Sequence, residues 1–129
     1  MENSNLKLDL EKIDKVISDS NEAIEKGKAL DRLMKNADFK SIILDGYFET
    51  EAKKLFQILT DPTGATPYTE ETILMKLASI SDFKRYVGTE DYPGTIKIEA
   101  DKAPHDILRE EQYRIEMTAR YAEDERENT

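Results

Sequence analysis

Between Leu6 and Gly27 the chain holds no proline and returns to one face every three or four residues. Leu6, Leu10, Ile13, Ile17, Ser20, Ile24 and Gly27 follow a 4-3-4-3-4-3 spacing, the seam of a helix that packs lengthwise on another helix. Ser20 and Gly27 are the weak members, and Gly27 costs the helix about 1 kcal/mol relative to Ala. Val16, Ala23 and Leu30 widen the stripe to one side, which favours packing on a globular body over a strict two-stranded pairing. The seam can be covered by the same chain or by another. A helix of some 25–30 residues is roughly 40 Å long, whereas a body made from the rest of the chain is only about 30 Å across. Its N-terminal half is therefore expected to overhang. Leu6, Leu10, Ile13 and Ile17 are the expected partner-binding residues, facing another protein or a second copy of the chain.

Two breaks set the limits of the other elements. DPTGATP at 61–67 and VGTEDYPG at 87–94 combine proline and glycine, so no helix is expected to cross 61–67 or 88–94, and both read as surface connectors. Between them Thr69 caps a helix with Glu70 and Glu71 in its first turn. Its buried stripe is expected at Ile73, Leu74, Leu77, Ile80 and Phe83, and its end at Gly88. After the second break, TIKIE at 95–99 alternates Ile96 and Ile98 with charged residues, the period of a half-buried strand. That strand would pair with the piece around 86–89 or with a neighbouring subunit, or the piece would dock as an extended arm without pairing. Asp101 or Ala103 would then open the last helix, with Pro104 in its first turn. Leu108, Ile115 and Ala119 or Ala122 form a narrow seam on it. Residues 1–5 and 123–129 are polar or charged and read as disordered tails.

The densest apolar stretch is Ala29–Leu59. Leu30, Leu33 and Met34 share one helix face. Asn36 or Asp38 can cap a second piece carrying Phe39, Ile42 and Ile43, which Gly46 would end. Tyr47 and Phe48 would lie in the turn, and Thr50 would cap a third piece with Ala52, Leu55, Phe56 and Leu59 inward. Phe39, Tyr47, Phe48 and Phe56 are the expected aromatic centre of the core.

This stretch also carries a family likeness. The run LDRLMKNADFKSIILDGYFETEAKKL follows the pattern L-x-x-L-x-x-N-x-D-F-K, a short apolar run, G-Y-F and E-A-x-x-L. The matching residues are Leu30, Leu33, Asn36, Asp38, Phe39, Lys40, Gly46, Tyr47, Phe48, Glu51, Ala52 and Leu55. In these positions, about a quarter of the chain, it resembles small proteins encoded among the virion and morphogenesis genes of tailed bacteriophages. The resemblance implies a helical, acidic protein without known catalytic residues, located in the virion or the host cytoplasm.

Charge and chemistry narrow the function further. The formal net charge is −9, a surface that repels phosphate backbones and anionic lipid, so neither nucleic acid nor membrane is expected as a direct partner. The same charge would suit a basic protein, and an acidic inhibitor that mimics nucleic acid is the alternative reading. There is no cysteine, which excludes disulfides and thiolate metal sites. The single histidine, His105, stands beside Asp106 without a nucleophile motif nearby in sequence. Acid pairs such as Glu70–Glu71, Glu90–Asp91 and Glu110–Glu111 are adjacent, and neighbours on a helix point about 100° apart, which makes them poor metal clamps. No catalytic residue, metal site or cofactor is expected. The fold expected is one mainly α domain over 1–129, with a long N-terminal helix and room for a short β element near residues 86–99. Its function is expected to be non-enzymatic assembly, as an oligomer or bound to a larger capsid or neck structure.

Overall fold

The computed structural model describes residues 2–64 and 66–128, with side chains from Asn5 onward. Met1, Ala65 and Thr129, which belong to the expected tails and connector, lie outside the described residues. The elements are α1 (Glu2–Met34), α2 (Ala37–Phe39), a π-helical segment (Lys40–Glu51), α3 (Ala52–Leu59), α4 (Glu70–Val87) and α5 (Thr95–Glu127). The fold is mainly α with a long N-terminal helix. Helix reaches into both expected tails, at 2–5 and at 123–127. Contacts divide the chain into two compact units, one of Met1–Gly27 with Glu99–Thr129 and one of Lys28–Ile98, where the sequence suggested one domain.

In the first unit α1 and α5 lie antiparallel. Gly27 meets Ala100, Asp14 pairs with Arg114, and the Tyr121 hydroxyl donates to Asp9 at 3.4 Å, so α1 is matched against α5 in reverse order. The buried or half-buried line on α1 is the expected one: Leu6, Leu10, Ile13, Ile17, Ser20, Ile24 and Gly27. Its counterpart on α5 is Ala100, Ala103, Ile107, Glu110, Arg114, Met117 and Tyr121, also at three- and four-residue spacing. Small residues on both helices at one end allow close approach, and the long side chains of Met117 and Tyr121 fill the other end.

The second unit has its own core of Leu30, Leu44, Phe48, Leu55, Ile73, Ile80 and Val87, with Met34, Phe39, Ile43, Tyr47, Leu77 and Ile96 packed around it. Ile73 is its most enclosed side chain. The Asn36 side chain caps α2 by accepting from the Phe39 N–H at 3.0 Å. From there the chain stays helical to Leu59, which corrects the expected break at Gly46. Gly46 has no positive φ, and Thr50 is not a cap: its hydroxyl donates to the Asp45 carbonyl at 3.1 Å, five residues back. The wider π turn is the reason. Leu44, Phe48 and Ala52, four residues apart, keep to the inner side through this segment.

Thr69 caps α4 as expected, accepting from the Thr72 N–H at 3.1 Å. Gly88 ends the helix at φ +83°, donating to the Lys84 carbonyl at 2.7 Å. The return from α4 to α5 is tight: Thr89 N–H donates to the Tyr92 carbonyl at 2.8 Å, and a methyl group at Gly88 would lie 2.5 Å from the Gly94 nitrogen. One antiparallel bridge, Gly88 to Pro93, sits in this turn, and no strand occurs among the described residues. The expected strand at 95–99 is instead the first turn of α5, with Ile98 N–H donating to the Gly94 carbonyl at 3.0 Å. Two residues apart also means roughly opposite sides of a helix, so Ile96 packs on the core while Ile98 stays exposed. Pro104 consequently falls inside α5, where its missing N–H leaves the Ala100 carbonyl without its helical donor.

Candidate functional site

The seam proposed for a partner is covered by this chain. Ile13 is 2% exposed, and Leu6, Leu10 and Ile17 are half-buried, in the unit that α1 forms with α5. The expected overhang does not arise because α5 is as long as α1, at 33 residues each. An overhang would require that only short helices remain to cover α1.

The apolar residues left outward are elsewhere. On α5, Leu108 and Ile115 are 57% and 70% exposed, and Ala119 and Ala122 are exposed as well. These are the residues read from sequence as the seam of the last helix. They lie on the far side of α5 from Ala103 and Met117. Lys102 and Arg109 border this outer stripe, and both reach the same carboxylate, Asp106, at 3.9 and 3.1 Å. Further along the same border stand Glu116 and Glu123. On α4, in the second unit, Leu74, Met75 and Ala78 are exposed and with Glu70 and Glu71 line a shallow apolar hollow. Leu74 was expected inside, but Ile73, Leu77, Ile80 and Val87 already supply the inward face of that helix.

The aromatic centre is also rearranged. Phe48 is buried and meets Phe83 edge-on at 5.4 Å between ring centroids, with Tyr47 tilted against both at 6.1 Å. Phe56, expected beside Phe39 and Tyr47, is 59% exposed. On α3 Leu55 takes the inward position, and its neighbour in sequence is turned about 100° away.

Polar geometry offers surface pairs. The Lys40 ammonium bonds Glu90 at 2.9 Å, and this bond with its charge holds the lysine above its ordinary range. Asp61 is held below the usual carboxylate range by the Thr63 N–H, at 2.9 Å, and then by the Thr63 hydroxyl at 2.8 Å. His105 is exposed on α5. Among the described residues no group of three histidine, aspartate or glutamate side chains is placed to hold a metal ion. A shallow groove in the first unit has Ser20, Ala23 and Ala103 in its lining and Asp19, Glu99, Lys102 and Asp106 beside them. No helix among the described residues is long and apolar enough to cross a membrane.

What this arrangement can do is present apolar helix faces edged with charge. Comparison with protein-family models, with curated proteins and with solved structures finds no match.

Proposed function

We propose that the chain is a non-enzymatic assembly protein, a component of a tailed-phage virion or of its morphogenesis, that acts by binding other protein surfaces. The observation that carries the assembly part is the outward stripe of α5: two large aliphatic side chains one heptad apart, in a unit whose own seam is already filled. The phage setting rests on the resemblance of the Leu30–Leu55 pattern. Virion or host cytoplasm is the corresponding location. Gradient-purified particles should contain the chain at a fixed ratio to the major shell protein, and material from infected cells should show it in assembly intermediates. Its absence from both would overturn the phage setting.

The net charge of −9 supports a second reading, an acidic inhibitor bound to a basic host protein. That reading calls for a tight complex whose affinity falls steeply as salt is raised from low ionic strength.

A further inference from the structure

The outer face of α5 carries a charge pattern that selects its occupant. The stripe runs Leu108, Ile115, Ala122, with Ala119 adjoining, and all four are exposed. Beside it, at strict seven-residue intervals, stand Lys102, Arg109, Glu116 and Glu123. The first two are positive and the last two negative, so the line reverses sign about its midpoint. Such a line complements itself when a second copy runs the opposite way: Lys102 then faces Glu123 and Arg109 faces Glu116, each pair occurring twice. A parallel copy would turn this line toward the opposite flank of the stripe and form neither pairing, so the sign reversal favours the antiparallel arrangement.

We infer that the α5 outer face is the contact surface for a second copy of this chain, docked antiparallel about a two-fold axis near Gln112. The reciprocal pairing is what a two-fold interface requires, since the same patch serves both partners. The apolar register agrees. An axis that pairs Arg109 with Glu116 brings Leu108 against Ala119 and Ile115 against Gln112 of the opposite helix, large against small. The cations have capacity for it as well. Lys102 and Arg109 share the single Asp106 carboxylate, and both side chains remain 69% exposed. Burying Leu108 and Ile115 removes the largest aliphatic exposure on this helix face, and the flanking pairs fix direction and register.

This inference rests on the assembly reading only in that both use the α5 face; it does not require the phage setting. The test is sedimentation of the purified full chain over a concentration series. The expected result is reversible doubling of mass. Leu108→Asp with Ile115→Asp should return the monomer mass with unchanged circular dichroism, because neither side chain is in a core. Arg109→Glu alone and Glu116→Arg alone should each weaken the dimer at least tenfold, and the two together should restore it. Because the chain has no cysteine, Gln112→Cys should cross-link copies on oxidation while Ala122→Cys should not. A monomer at all concentrations overturns the inference, as does a dimer indifferent to the aspartates or one cross-linked equally at both positions. Particle incorporation of a chain that is monomeric in solution would overturn this inference and leave the assembly reading standing. A dimer absent from particles would do the reverse for the phage setting.

Discussion

A methyl group on Gly27 of α1 would lie 2.5 Å from the Cβ of Ala100 on α5. At this point the two helices are separated by little more than backbone and one small side chain. Gly27→Ala therefore sets two effects against each other. In an exposed helix the change would stabilise by about 1 kcal/mol through helix propensity. Here the added methyl overpacks a contact that can yield only if the helices separate, a cost of about 1–3 kcal/mol. The net expectation is a lower melting temperature. Adding Ala100→Gly to Gly27→Ala should recover most of the loss. A rise in melting temperature for Gly27→Ala alone would show that the helices are not held this close.

Two phenylalanines eight residues apart should behave in opposite ways. Phe48→Ala empties the centre of the second unit and is expected to cost about 3–5 kcal/mol in urea unfolding. Phe56→Ala, on the outer side of α3, should stay within about 0.5 kcal/mol of the parent. Equal losses would contradict the burial of one and the exposure of the other.

Arg114 occupies a position in the α1–α5 seam that a leucine would fill. Its guanidinium pairs with Asp14, while its Nε is buried and makes no hydrogen bond to a described residue. An unmet buried donor costs about 1–3 kcal/mol, and an ion pair that is largely exposed adds little stability for the change to lose. Arg114→Leu is thus expected to raise the midpoint of thermal unfolding. The exposed Asp14 loses little when its partner goes. A clear fall in the midpoint would mean that the pair itself secures the match between α1 and α5.

The turn after α3 should respond to acid. Asp61 has a lowered folded-state pKa, so its contribution to stability is present above the unfolded value and is lost as pH falls through the folded one. Carboxyl NMR titration should find Asp61 below the ordinary aspartate range. Thr63→Ala removes the hydroxyl donor but not the backbone N–H, the larger cause, so Asp61 should move only part of the way back. A titration in the ordinary aspartate range in the parent chain would show that the turn is not formed in solution.

The readings that came directly from sequence were those with a local physical signature. The α1 seam, the Thr69 cap, the stop at Gly88 and the two connectors each depend on residues within a few positions of one another. The helix face that partners the α1 seam did not show itself, because four of the seven α5 residues facing it are Ala100, Ala103, Glu110 and Arg114. Apolar weighting chose Leu108 and Ile115 instead, which the structure leaves outside. Small residues are invisible to such weighting, although they are what lets two helices approach. The helical course through Gly46 was hidden because a glycine after Asp45 reads locally as a helix end, whereas the π-type bonding that carries the helix past it has no signature in side-chain spacing. For the contact surface, the α5 residues were legible as a narrow seam but not which side of the helix would remain free.

The first unit joins segments far apart in sequence, with Asp14 and Arg114 separated by 100 positions. Synthesis on the ribosome imposes an order on this. At about 5–20 residues per second, roughly 5–20 s pass between the emergence of Asp14 and that of Arg114. The second unit, whose residues are contiguous, can form during that interval. Throughout it the nascent Leu6–Ile17 seam has no α5 to cover it. The α1 seam is therefore most open to chaperones, and to unwanted association, before α5 is made.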